Sequence, residues 1–160
     1  WTYGTLSRTA WTDVGIIQNP IAAGTDGYLY YHEDGFDDGS TNPASALTAY
    51  IESSQVDLGD GNEFSFVSRL IPDITFRDST AASPTAIFTL KARNFPGGQY
   101  LQEDDSSVIK TASVPVEQFT QQNFVRLRGR SIALRVESDT TGVGWRLGAP
   151  RIDVRQDGRR

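Results

Sequence analysis

An acidic loop holds the residues that come nearest to a metal-binding or catalytic pattern. The segment HEDGFDDGSTNPAS, residues 32–45, contains Asp34, Asp37 and Asp38 among turn-forming residues. Its composition resembles a calcium-binding loop, but it lacks the twelve-residue spacing and the terminal bidentate glutamate of that loop. We therefore expect a solvated loop and no metal site.

The histidine and cysteine content limits the catalytic chemistry further. The chain has no cysteine and one histidine, His32, which excludes thiol nucleophiles, iron–sulfur clusters, cysteine-ligated zinc and two-histidine catalysis. No GxSxG turn places a serine beside His32, and no GxGxxG or Walker lysine pattern is present to hold a phosphate. Hydrolysis by a carboxylate pair stays open as a weak alternative, because 20 acidic residues make some pair inevitable. We expect no enzyme and no cofactor.

Aromatic side chains are concentrated at the start of the chain, and they are candidates for recognition. They are Trp1, Tyr3, Trp11, Tyr28, Tyr30 and Tyr31. In a glycine-rich β segment such rings belong most often to a core or a subunit interface, because each ring buries a large area. Carbohydrate-binding sandwiches instead use exposed rings as stacking platforms. Trp11 and Tyr30 are our candidate interface residues here.

Charge is divided unevenly along a chain whose net charge is −5. Residues 1–63 contain ten carboxylates and one basic residue, whereas residues 126–160 contain nine arginines and four carboxylates. We take Arg126, Arg128 and Arg130 as candidate interface residues. Three interpretations remain open for them: a nucleic-acid patch, ion-pair partners for the acidic N-terminal part, or a solvated strand face.

Alternation of apolar and polar residues predicts the strands that position these side chains. Residues 125–128 and 132–137 both alternate with a period of two, but in opposite phase, so we expect a bulge at Gly129. Turn-forming residues at 138–144 predict a turn into a returning strand through Trp145.

The same reasoning gives the fold class. Residues 47–58 and 64–76 predict a hairpin around a glycine-containing turn, and residues 86–92 predict a further strand. No apolar spacing of three and four residues persists for three turns, so no helix is predicted. We expect an all-β protein with an N-terminal β segment at 1–43 and an antiparallel β-sandwich domain at 44–160.

Two observations concern the setting of the chain. No apolar run approaches the roughly 20 residues that span a bilayer, so we expect no membrane partner. The chain begins with Trp1 and contains no methionine, which indicates a fragment or a processed product of a larger protein.

Four segments together resemble a known protein family. They are TDGYLYYHEDGFDDGS, AYIESSQVDLGDGNEFSFVSRLIPD, FTLKARNFPGG and the C-terminal run VRLRGRSIALRVESDTTGVGWRLGAPRIDVRQDGRR. The pattern is similar to the C-terminal part of the tail nozzle, or tail tubular, proteins of short-tailed bacteriophages. The most specific portion of the resemblance is the C-terminal run.

The resemblance implies a structural role. Nozzle proteins of this kind are not enzymes, and they form a ring below the portal and adaptor through which DNA passes. It implies a virion protein, assembled in the host cytoplasm, that contacts further copies of itself in a hexameric ring and neighbouring tail and adaptor proteins. Duplex DNA would pass through without specific binding, and residues 1–40 would be the remnant of a propeller blade. The alternative is a carbohydrate-binding β-sandwich for host attachment.

Overall fold

The chain is built from β-strands. A computed structural model describes residues 7–14, 18–94 and 111–158. All the regular secondary structure in these residues consists of β-strands. Within those ranges no helix long and apolar enough to cross a membrane is found. The strands, in chain order, are β1 (Arg8–Thr12), β2 (Ile21–Gly24), β3 (Leu29–Tyr31), β4 (Asp37–Asp38), β5 (Ser45–Ala46), β6 (Ala49–Glu52), β7 (Val56–Asp57), β8 (Ser65–Ile71), β9 (Ile74–Thr75), β10 (Thr85–Arg93), β11 (Thr111–Glu117), β12 (Asn123–Gly129), β13 (Ser131–Ser138), β14 (Arg146–Leu147) and β15 (Arg151–Gln156).

Two antiparallel sheets face one another as a sandwich, which confirms the predicted fold class. The large sheet has the strand order β11-β10-β13-β6, and β7 also pairs with β13. The second sheet, which we call the basic sheet because of its arginines, has the order β12-β8-β15. A short β9–β14 pair closes one end of the core, where Ile74 and Leu147 pack against buried residues of both sheets.

The core lies between the two sheets and follows from their alternation. In β10 the side chains of Ala86, Phe88, Leu90 and Ala92 are buried in turn, as the sequence predicts. The basic sheet contributes the buried side chains of Val67, Leu70, Val125 and Leu127 to this core. Trp145 is half-buried against the same core, and its indole N–H donates to Oγ of Ser138 at 2.9 Å.

The phase change in the C-terminal run has a different cause from the expected bulge. Strand β12 belongs to the basic sheet and β13 to the large sheet, so the chain crosses from one sheet to the other between Gly129 and Ser131. Leu127 and Ile132 then point into the core from opposite sides. A bulge does occur in β12, but between Phe124 and Leu127.

Two predicted hairpins are also crossings between sheets. The run at 47–58 forms β6 and β7 of the large sheet, whereas the run at 64–76 forms β8 of the basic sheet. The strand that returns after the 138–144 turn pairs with β9 and, as β15, with β8, rather than with β13. The predicted strands exist, but their pairing partners differ.

Ahead of the sandwich, β1, β2 and β3 form a separate three-stranded antiparallel sheet, the N-terminal sheet. The short β4–β5 pair follows it and joins residues on both sides of the expected boundary at residue 43. Asp37 anchors this pair to the sandwich, because its carboxylate accepts the backbone N–H of Gly142 at 2.7 Å. The division at residue 43 stays a prediction.

Substitution of Gly129 should test the crossing. A Cβ there would lie 2.8 Å from Cβ of Ala92 and 3.0 Å from the carbonyl oxygen of Arg93, so Gly129→Ala should cost about 1–3 kcal/mol of unfolding free energy. Gly39→Ala is the matched control, since nothing lies within 4 Å of its Cβ position. Urea unfolding of both variants checks this, and equal stabilities would contradict the close approach.

Candidate functional site

One face of the N-terminal sheet carries both aromatic candidates. Trp11 pairs with Ala22, and Ala22 pairs with Tyr30, so the three side chains share a face. Ala22, in the middle of this row, is buried, while Trp11 is 56% exposed. The structure therefore brings Trp11 and Tyr30 together, and Trp1 and Tyr3 lie outside the described residues.

Arg8 links the side chains of this face. Its guanidinium carbon lies 4.2 Å from the ring centre of Tyr30, and its Nε–H donates to Nε2 of His32 at 3.0 Å. The ring of His32 also lies 4.5 Å from that of Trp11, at an angle of 46°. These contacts join four side chains into one group: Arg8 and Trp11 from β1, Tyr30 from β3, and His32, which directly follows β3.

Local contacts shift the pKa values of three titratable groups at this face, His32, Asp26 and Tyr30. Burial, and then the Arg8 charge, lowers the pKa of His32, which favours the neutral ring that can accept the Arg8 hydrogen bond. The Tyr30 hydroxyl donates to the Asp26 carboxylate at 2.5 Å. This hydrogen bond lowers the pKa of Asp26 and raises that of Tyr30.

A cleft of about 690 Å³ runs along the open edge of β3. It is bounded by the acidic loop and by Leu47, and its lining includes Tyr28, Tyr30, Tyr31, Asp34, Asp37 and Asp38. Trp11 is not part of the lining. The cleft combines exposed phenol rings with carboxylates, which are the groups that stack on sugar rings and accept hydrogen bonds from hydroxyls.

Two carboxylates of the acidic loop, those of Asp37 and Asp38, already accept backbone hydrogen bonds. Asp38 accepts the backbone N–H of Ser40 at 2.9 Å, and hydrogen bonds from the side chain and backbone of Ser40 lower its pKa. Asp37 accepts from Gly142. No group of three potential metal ligands occurs in the part of the chain that the structure describes.

Among the residues that the structure describes, no other strand forms a layer over the opposite face of the N-terminal sheet, which we call the uncovered face. Its two cross-strand rows are Ala10–Ala23–Leu29 and Thr12–Ile21–Tyr31. Leu29 is 74% exposed and Tyr31 is 56% exposed. Ala22, on the other face, is the only buried hydrophobic residue among the described residues of this sheet.

The three candidate arginines do not form a single face. Arg126 and Arg128 point outward from β12, whereas Arg130 lies in the crossing between sheets. Arg128 pairs with Asp157 at 2.5 Å, and the guanidinium carbons of Arg128 and Arg130 lie 4.0 and 4.8 Å from the ring centre of Phe64. Ion pairing therefore applies to Arg128, with a carboxylate of the C-terminal part, and Arg126 is exposed.

Several residues on the same surface as Arg126 were not predicted as interface residues from the sequence. The outer face of the basic sheet also carries Phe66, Arg69, Phe124, Arg151 and Arg155. Arg151, Asp153 and Arg155 alternate with Ile152 and Val154, and this alternation was the signal that could have shown an outward-facing basic strand.

Comparison with known proteins finds no family model that matches the chain and no characterised protein similar to it in sequence. The sheets, the cleft and the charged faces therefore carry the functional inference together with the sequence pattern.

Acidification should loosen the N-terminal sheet. The folded-state pKa of His32 lies below its ordinary value of 6.5, so its stabilising contribution is present above that value and is lost as pH falls through the lower folded pKa. We expect faster amide exchange in β1 and β2 at about pH 5.5 than at about pH 7.5, after correction for intrinsic rates.

The control for this measurement is His32→Gln. The glutamine carbonyl can accept the Arg8 hydrogen bond at every pH, so the variant should lose the difference between the two conditions. An unchanged pH response in His32→Gln would assign the loosening to other groups.

Proposed function

We propose that this chain is a non-enzymatic structural protein of a virion, a component of the tail nozzle or tube of a short-tailed bacteriophage. In this role several copies form a hexameric ring that contacts neighbouring tail and adaptor proteins. Duplex DNA passes through the ring during ejection without specific binding. The sequence resemblance supports the phage assignment, and the uncovered N-terminal sheet supports assembly.

The uncovered sheet is the observation that carries this proposal. A three-stranded sheet with one buried hydrophobic residue has too little core to be stable in isolation. Exposed apolar side chains gathered on one such sheet are typical of a surface that another protein covers. Assembly would supply the missing layer.

The sandwich has properties that suit a fixed structural part. On the outer face of the large sheet, Glu52 accepts hydrogen bonds from Lys91 at 2.8 Å and from Arg135 at 3.2 Å, and Arg135 also pairs with Glu137 at 2.7 Å. Burial raises the pKa of Glu52, but the hydrogen bonds from Lys91 and Arg135 outweigh this effect. The pKa of Glu52 is therefore lower than its ordinary value. A network of partly buried charges positions strands more firmly than isolated exposed pairs do.

Self-association tests this proposal. We expect sedimentation velocity at increasing protein concentration to show a discrete oligomer, and negative-stain images of that oligomer to show rings with a central opening. The apolar face of the N-terminal sheet gives the driving force, because each contact removes it from water. A chain that stays strictly monomeric at high concentration would contradict the structural role.

Carbohydrate binding is a second candidate, and the cleft along β3 favours it. We expect a glycan array to show reproducible binding that Tyr28→Ala abolishes, because Tyr28 is 68% exposed and lines the cleft. Phe119→Ala is the matched control, since Phe119 is 87% exposed and lies outside the cleft lining. Absence of glycan binding, or equal loss in both variants, would remove this candidate.

A further inference from the structure

We infer that the uncovered face of the N-terminal sheet in one copy packs on the outer face of the basic sheet in a second copy of this chain. The inference rests on the proposed structural function and names the two surfaces through which copies would meet. It makes the contact heterologous, since each copy contributes a different surface to it.

The first surface is apolar with an acidic margin. It consists of the rows Ala10–Ala23–Leu29 and Thr12–Ile21–Tyr31. Strands β1 and β3 both end at the second row, so Asp13, Glu33 and Asp34, which follow them, lie at the same end of the sheet. Between residues 7 and 40 the chain carries six carboxylates against Arg8 alone. The surface therefore suits an occupant that offers both apolar and basic groups.

The second surface offers that combination. Phe66 on the central strand lies between Arg128 and Arg155 on the two neighbouring strands. In a second cross-strand row, Arg69 lies between Phe124 and Asp153. Phe124 is 77% exposed, which leaves a large apolar side chain at the edge strand without cover. The guanidinium carbon of Arg155 lies 4.8 Å from the ring centre of Phe66, so part of this ring is covered by a cation. Aromatic and arginine side chains together are the residues most enriched in the centres of protein interfaces.

Three arginines of the second surface retain their charge for a partner. Arg126, Arg151 and Arg155 are exposed, and in the described ranges none of them has a carboxylate within salt-bridge distance. Among the described residues, five arginines face outward around this sheet against the two carboxylates Asp153 and Asp157. The basic surface is thus the electrostatic complement of the acidic margin described above.

Charge also selects between the possible pairings of copies. Two N-terminal sheets facing each other would bring carboxylates together, and two basic sheets facing each other would bring arginines together. Each of these pairings costs free energy because like charges repel. Pairing of the acidic, apolar surface with the basic, aromatic surface avoids both costs. A second copy supplies the complementary surface at every step, so the contact can be repeated around a ring.

Site-specific cross-linking tests the contact, and the absence of cysteine from the chain makes each introduced thiol unique. Leu29→Cys and Phe124→Cys are purified separately, mixed, and treated with a short bismaleimide. We expect a covalent dimer in the mixture and none in either variant alone. Val56→Cys replaces Phe124→Cys in the control mixture, because Val56 is 56% exposed but belongs to the large sheet. That control should give no dimer.

Each other result has a separate meaning. Cross-linking of Leu29→Cys with itself would show an isologous contact and would overturn the inference. Assembly of the mixed variants without a cross-link would also overturn it, while leaving the structural function standing. A chain that is monomeric at every concentration would overturn both.

Affinity measurements give a second, independent arm. Arg126→Glu combined with Arg151→Glu should weaken self-association about tenfold, with a smaller salt dependence than the unmodified chain. The matched control is Arg146→Glu, which reverses the charge of an arginine that is 73% exposed outside both surfaces. Its dissociation constant should stay within about twofold of the original. Equal weakening by the double variant and the control would reduce the effect to net charge and would overturn the inference.

Discussion

The close approach of Gly129 to the end of β10 is the contact on which the sandwich depends. The Arg130 N–H donates to the carbonyl oxygen of Arg93 at 2.8 Å, directly beside a glycine that leaves no room for a side chain. Consecutive strands can therefore leave the basic sheet and enter the large sheet with one residue between them. Because Leu127 and Ile132 reach the same core from opposite sides, this crossing sets where the two layers meet.

The N-terminal sheet has no equivalent constraint. Its strands are joined by their backbone pairing and by side-chain contacts in which Arg8 connects Tyr30 and His32, and no described strand adds a second layer of apolar side chains. Exposed contacts of this kind contribute modestly to stability, because water competes for the same groups. The same chain thus joins a sandwich that buries its own core to a sheet whose apolar side chains remain available to another surface.

The sequence predicts the strands better than it predicts their neighbours. Alternation over 86–92 identifies β10, because a period of two shows which side chains share a face. It does not show which sheet a strand joins, so three connections expected to stay within a sheet cross between sheets instead. The candidate site follows the same rule: Trp11 and Tyr30 were identified as aromatic, but their shared face depends on pairing through Ala22. The anchoring role of Asp37 depends on a residue 105 positions away, which no local pattern contains.

The arginines of the C-terminal part divide into those that form ion pairs within the chain and those that are exposed on the basic sheet. Arg128 and Arg135 are held by carboxylates of the same chain, so their charge mainly stabilises the sandwich. Among the described residues, Arg126, Arg151 and Arg155 of the basic sheet have no carboxylate within salt-bridge distance, while the acidic excess lies around the N-terminal sheet. In the proposed contact, long-range attraction between such regions would orient two copies before they touch, and burial of apolar surface would then supply most of the affinity. The uneven charge would therefore give the proposed contact its direction, and the exposed rows ending in Leu29 and Tyr31 would give it a driving force.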